Sequence, residues 1–191
     1  ALSRDPTMME AYRSGDPYMA FAIQAGAASE GATRESNPVA RELYKMCVLA
    51  TQYQMTALGL SRMLGKPPYA GNQLLAQHKR LYANYWAWID RVVDHAFLHS
   101  ELAATFGWRM DVRSGTKERT VANFQMQANG AEMLRLAVIL AEEMGLEICA
   151  TIHDAVLVEA TLENLERDAR AMQSAMAEAS DVVLNGFQLR S

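Results

Sequence analysis

Three stretches of this chain repeat their apolar residues at the period of an α-helix, and they leave little room for any other architecture. From Val39 to about Arg62 the pattern is strongly helical. From 72 to 98, Leu74, Leu75, Leu81, Tyr85, Trp88, Ile89, Val92, Val93 and Phe97 form one apolar stripe, which predicts a single long helix. A third helix is predicted from about Glu118 to Met144. The breaks between them carry the usual stop and start signals. Ser14-Gly15-Asp16-Pro17 interrupts a first helical region over 5–28, and residues 29–37 read as a polar loop. Asn37-Pro38 reads as an N-cap followed by proline at the first helical position, and Gly65-Lys66-Pro67-Pro68 reads as a stop.

Elsewhere the helical period gives way. Residues 100–113 have a strand-like composition. Between Glu147 and Ala160, Ile148, Ile152, Val156 and Val158 flank two polar residues, predicting two short strands folded back at His153-Asp154. A last amphipathic helix is expected over Leu162–Ala179, and Gly186 to Arg190 reads as the start of another strand. The fold class is therefore mainly α with a small antiparallel β element (α+β).

A formal charge of −4 argues against a simple basic nucleic-acid binder, so any nucleic-acid role must rest on local charge placement. Cys47 and Cys149 both lie in apolar surroundings, which predicts two buried thiols and a reducing compartment. No signal-peptide pattern is visible, and the apolar run Leu136–Ala141 is far too short to span a bilayer. The expectation is a cytoplasmic protein with no membrane partner.

Three constellations carry chemistry. Arg41, Lys45, Leu49 and Tyr53 recur every four residues, so they lie nearly above one another on a helix. Two cations one turn apart suit a polyphosphate, since Arg offers a fork and Lys a mobile point charge. Leu49 and Tyr53 extend that face with apolar surface for a sugar or base. On spacing alone, the same four positions also describe a solvated stripe leading into core. Arg119, Asn123 and Gln127 repeat the spacing on the later helix, after a basic approach containing Arg109, Arg113 and Lys117. Their side chains can bond phosphate, sugar and minor-groove acceptors, and an ordinary polar helix face fits them equally. Third, His153-Asp154 sits between two apolar strands, where a hairpin tip exposes a carboxylate that Mg²⁺ could share with substrate phosphates. A plain turn explains the same dipeptide, because Asp tolerates tight bends.

Taken in order, these motifs resemble the family A (polymerase I-like) DNA polymerases. Arg41-x3-Lys45-x3-Leu49-x3-Tyr53 is similar to that family's nucleotide-binding helix. Arg119-x3-Asn123-x3-Gln127 is similar to the stretch before its third motif, and Ile152-His153-Asp154 to that motif's His-Asp. The segment from Ser3-Arg4-Asp5-Pro6 to Ser14-Gly15-Asp16 looks like the stretch after its first motif. The resemblance runs nearly from Ala1 to Ser191. It implies fingers helices over 1–98 and a partial palm of a right-hand polymerase, with the His-Asp hairpin, over 99–191.

By the same resemblance the chain is part of a DNA-directed DNA polymerase that transfers nucleotides from dNTPs with Mg²⁺. Asp154 would be a catalytic metal ligand. Arg41 and Lys45 would hold the triphosphate, with Lys45 also helping to protonate the pyrophosphate. Leu49 would pack on the sugar and base of the incoming nucleotide, and Tyr53 would lie near the template base. Arg119, Asn123, Gln127 and His153 would contact primer-template DNA. The sequence departs from the family at Tyr18 (often His), Leu49 (often aromatic), Gln54 (usually Gly) and Ala155 (usually Glu). The family's first motif, with its second aspartate, would precede Ala1, so the partner implied is the N-terminal polymerase portion, in the same chain or as a split subunit. Alone, the chain is expected to be inactive, and Asp5, Asp16 and Asp111 are the candidates for another carboxylate if it is not. A bacterial cell or a phage-infected host is the expected setting. The alternative is a non-catalytic module, derived from a polymerase, that binds nucleotide or primer-template.

Overall fold

Four helices begin on a proline, whose ring sets the backbone angle of a first helical turn and removes an amide that would lack a partner there. In the computed structural model, which describes residues 1–191, these are α1 (Pro6–Arg13), α2 (Pro17–Gln24), α3 (Pro38–Gln52) and α5 (Pro68–Leu81). Asp5 caps α1 by accepting from the Met8 amide at 2.9 Å. Asp16 caps α2 by accepting from the Tyr18 and Met19 amides at 3.2 and 3.1 Å. By their internal contacts the residues fall into two units, Ala1–Leu98 with Ser114–Asn123, and His99–Arg113 with Phe124–Ser191.

The first unit holds α1 to α3, α4 (Ala57–Met63), α5 and α6 (Ala83–His99, whose last residue falls in the second unit). Its core is aromatic. Phe21 of α2 lies 5.0 Å from the Tyr44 ring, 5.3 Å from His78 and 5.5 Å from Tyr82, centroid to centroid. Burying Phe21 stabilises the unit by roughly 1.5–3 kcal/mol, and truncating it would cost more, because a cavity would remain. The Asp5 carboxylate also accepts from the Tyr85 amide at 3.1 Å, which ties the start of α1 to α6. At the α4–α5 crossing, Gly71 is buried. A Cβ there would stand 2.0 Å from the Ala57 carbonyl oxygen and 2.4 Å from Ser61 Oγ, so only glycine permits this approach.

Two predicted helices are each divided. The helix expected to continue to Arg62 stops at Tyr53, because Gln54 takes a left-handed backbone (φ +59°). The Met55 amide then bonds the Ala50 carbonyl and the Gln54 amide the Thr51 carbonyl, a Schellman stop with glutamine in the position glycine favours. Thr56 next caps α4 by accepting from the Gly59 amide at 3.2 Å. The single helix predicted over 72–98 is α5 and α6, broken at Tyr82 (φ −113°, ψ 50°), whose ring is drawn into the Phe21 cluster. Phe97, the last residue of the predicted stripe, is exposed.

The second unit contains two antiparallel hairpins. β1 (Glu101–Ala103) pairs with β2 (Arg109–Asp111), and β3 (Glu147–Ile152) with β4 (Ala155–Glu159), turning at His153-Asp154 as the alternation predicts. The 26-residue helix α7 (Glu118–Glu143) begins in the first unit and continues through the second. Ala137 and Ala141 of α7 and Ala175 and Ala179 of α8 (Leu165–Val183), each pair one turn apart, join Leu146 and Met172 in the core. Ile148, Val156 and Val158 pack against it from one face of the β3–β4 hairpin. Asn129 of α7 holds the other hairpin by accepting from the Thr105 amide and hydroxyl at 3.0 and 2.6 Å.

Three further expectations are corrected here. Cys47 is buried, but Cys149 is exposed, because it follows the core-packed Ile148 on β3 and strand alternation turns it to the opposite face. The last helix starts at Leu165, after a turn over Thr161–Asn164, and runs on to Val183. The tail forms no strand. Phe187 is buried and the Leu189 amide bonds Ser180 Oγ at 2.9 Å, so the segment is fixed by a helix and not by a partner strand. No helix is long and apolar enough to cross a membrane.

Candidate functional site

Helix α3 separates its residues by face. Tyr44, Cys47, Val48, Ala50 and Thr51 are buried. Arg41, Lys45, Leu49 and Tyr53 climb the accessible side, covering about 18 Å at 1.5 Å per residue. Exposure rises along the row, to 37% at Leu49 and 52% at Tyr53. Lys45 lies on the surface with its Nζ 3.7 Å from Glu42, a loose pairing that leaves the ammonium available.

Arg41 is held more firmly. Its Nε donates to Asp16 Oδ2 at 2.5 Å, and its guanidinium lies over the Tyr18 ring, 5.4 Å from the centroid. Both ion-pair side chains are about three-quarters shielded. Partial burial pushes the Asp16 carboxyl upward. The Arg41 hydrogen bond, the Met19 and Tyr18 amides and the Arg41 charge outweigh it and hold the group below its ordinary range. Beside this pair opens a cavity of about 590 Å³ whose lining includes Glu10, Ser14, Thr33, Arg34 and Glu35.

On α7, Arg119 and Gln127 are exposed, while Asn123 is half-buried with an Oδ1 that no donor meets. Of the basic approach, Arg109 is paired with Glu101 at 3.1 Å and Arg113 with Asp111 at 3.2 Å, while Lys117 is exposed. Three residues beyond Asn129, Glu132 is buried with its Oε2 taken by Arg135 and its Oε1 unmatched, and no motif in the sequence singled it out.

His153 and Asp154 form the two-residue tip between Ile152 and Ala155, which pair with each other. His153 has φ +55°, the left-handed geometry that such tight hairpins demand, and one that His adopts more readily than most residues. Both side chains are exposed. Nowhere do three or more His, Cys, Asp or Glu residues assemble to hold a metal ion. An exposed carboxylate such as Asp154 can give Mg²⁺ one oxygen ligand, since Mg²⁺ commonly takes the rest from waters and phosphates.

Of the three reserve carboxylates, Asp5 is buried between the Met8 and Tyr85 amides and Asp16 is taken by α2 and Arg41. Asp111 is exposed and meets Arg113 in a surface ion pair at 3.2 Å, which leaves its carboxylate accessible. The brace on Arg41 was not legible in the sequence, where Asp16 figured in a helix break, in the family-like Ser14-Gly15-Asp16 segment and as a reserve carboxylate, and Tyr18 as a departure from the family pattern. The sole signal was an N-cap carboxylate with a second oxygen to offer.

A family model described as DNA polymerase family A matches residues 1–187. The thermostable DNA polymerase I of Thermus aquaticus is 26% identical over 160 residues, covering 76% of this chain and 19% of that protein. The DNA polymerase I of Aquifex aeolicus is 25% identical over 198 residues, covering 95% of this chain and 33% of that protein. The chain thus spans between about a fifth and a third of the length of these relatives. A solved structure described as the POL domain of Pol1 from M. smegmatis, in complex with DNA primer-template and dNTP, superposes with a TM-score of 0.80. It covers 93% of this chain and 34% of that one at 22% identity, a likeness of fold.

Proposed function

The chain belongs to DNA polymerase family A, and from that premise we propose that it supplies the nucleotide-binding helix and the primer-template contacts of a DNA-directed DNA polymerase. The observation that carries the reading is the accessible row on α3, where a braced Arg41 and a mobile Lys45 lead into Leu49 and Tyr53. Arg41 presents two terminal nitrogens to a triphosphate, and Lys45 adds a charge that follows the phosphates as they move. Lys45 is also the donor that protonates the departing pyrophosphate. Leu49 gives the sugar and base an aliphatic contact, and Tyr53 marks the template-base end. The solved relative's partners, DNA primer-template and dNTP, support the same substrates here.

Arg119, Asn123 and Gln127 line successive turns of α7 and hold phosphate, sugar and minor-groove acceptors of the primer-template, joined by His153. In this reading the helices of 1–98 are the fingers and 99–191 is part of the palm. Asp154 would hold Mg²⁺, and the bound ion would supply charge stabilisation for phosphoryl transfer. With a single carboxylate to offer, the 191 residues alone do not extend a primer and rely on the rest of a longer polymerase or on a separate subunit. Ala155, beside Asp154, favours a second reading, a binding module that keeps its substrates without chemistry.

Two measurements test these readings, the first their shared nucleotide site and the second the chemistry that separates them. Arg41→Ala should weaken dNTP binding at least about tenfold, the loss expected for charge-assisted hydrogen bonds. Unchanged binding would remove the nucleotide reading. Primer extension with Mg²⁺ should appear when the chain is combined with the remaining polymerase portion, and should vanish in Asp154→Asn. Extension by the chain alone would refute the requirement, and no extension in combination would favour the binding module.

A further inference from the structure

We infer that Asp16 and Tyr18 are positioning residues that aim Arg41 at the triphosphate, an inference that rests on the nucleotide reading of α3. A free arginine has four side-chain torsions and samples many directions. Here a rigid backbone and two contacts remove most of them. Pro38 and Asn37 start α3, so Arg41 projects from its first turn with a rigid backbone. Asp16 Oδ2 accepts from Nε at 2.5 Å, which fixes the guanidinium along one edge. The Tyr18 ring lies 5.4 Å from the guanidinium carbon and fixes the plane from one face. What remains presented is the pair of terminal nitrogens, the end that forks onto phosphate oxygens.

The brace is itself anchored. Asp16 Oδ1 is bonded to the Tyr18 and Met19 amides at the start of α2, so the carboxylate is immobile before it meets Arg41. Tyr18 stands one residue beyond Pro17, on the same helical turn that Asp16 caps. One short segment, Asp16-Pro17-Tyr18, thus supplies both the charge and the ring, across 25 residues of chain from Arg41.

A carboxylate near a triphosphate also repels it, so the sign of its effect must be decided. The contact uses Nε and leaves the fork open, so Asp16 does not compete with phosphate for the same hydrogens. Ordering a flexible, rotamer-rich side chain in advance is worth roughly two- to tenfold in affinity. The brace should therefore outweigh the repulsion.

The test uses steady-state extension by the intact polymerase containing this chain, with the dNTP complementary to the template base. Asp16→Asn keeps an oxygen for the Tyr18 and Met19 amides and removes the charge on Arg41. It should raise KM for dNTP by roughly two- to tenfold, with kcat moving much less and thermal unfolding unchanged. Tyr18→Leu should raise KM likewise, and Tyr18→Phe, which keeps the ring, should restore it. In an Arg41→Ala background neither change should add anything, because nothing is left to aim. A lowered KM in Asp16→Asn would overturn the inference and make Asp16 a competitor. Equal effects with and without Arg41 would overturn it too, leaving a helix cap and nothing more. If Arg41→Ala itself leaves KM unaltered, the nucleotide reading fails and not merely the brace.

Discussion

Acidification from pH 7 to pH 5 should weaken the first unit through one imidazole. His78 is completely buried on α5, with its Nδ1 accepting from the Trp86 indole at 3.0 Å and its Nε2 meeting no partner. Rings of Phe21, Tyr82 and Tyr85 surround it. Burial pulls its pKa down from 6.5 to about 4, against the opposing pull of the Asp5 charge. Between those two values the unfolded chain binds a proton that the folded chain refuses. Stability is therefore complete above pH 6.5 and is lost as the pH falls towards 4. The full shift corresponds to about 3 kcal/mol, of which about 2 kcal/mol is gone by pH 5. That is a large part of a typical domain's margin. Urea unfolding at pH 7, 6 and 5, followed by Trp fluorescence, reads the loss as a falling midpoint. His78→Gln keeps an acceptor for Trp86 but cannot titrate, so its midpoint should start lower and stay flat over the same range. A wild-type midpoint constant between pH 7 and 5 would refute the reasoning, as would an equal decline in the variant.

Three other expectations are simpler. Gly71→Ala places a carbon 2.0 Å from the Ala57 carbonyl oxygen, so the α4–α5 crossing must open, at a cost of roughly 1–3 kcal/mol by thermal unfolding. At position 54, Gly and Ala both remove the whole glutamine amide, so its loss cancels between them. Only Ala keeps the left-handed strain, so Gln54→Gly should exceed Gln54→Ala in stability by about 1 kcal/mol. Cys149 should react with a thiol reagent in the folded chain. Cys47, buried and with its thiol pKa pushed up to about 12, should react only after unfolding.

The helices could be read because their cause is local. Proline at a first turn and apolar residues at helical spacing act within a few residues, and the alternation around His153-Asp154 likewise gave its hairpin. The breaks at Gln54 and Tyr82 could not. Glutamine carries no signal for a left-handed backbone, and Tyr82 leaves the helix to join Phe21, about sixty residues earlier. Cys149 misled because apolar neighbours in sequence do not share its face on a strand, where Ile148 turns inward and Cys149 outward. The same division runs through the candidate site. The row on α3 repeats every four residues and is visible in a line of text. The Asp16 contact closes across 25 residues, and no spacing rule announces it.

The two-residue turn that carries Asp154 leaves the chain almost no slack. Ile152 and Ala155 are paired on either side of it, and the strands behind them are rooted through Ile148, Val156 and Val158. Moving the backbone at position 154 means peeling the hairpin away from that root, which is a slow and costly event. What stays free is the carboxylate's own rotation about two bonds, on the picosecond-to-nanosecond scale of an exposed side chain. In the metal-binding role proposed for Asp154, an arriving cation would meet an oxygen that searches a small volume quickly, and capture would be governed by what approaches the tip and not by how far the tip must travel.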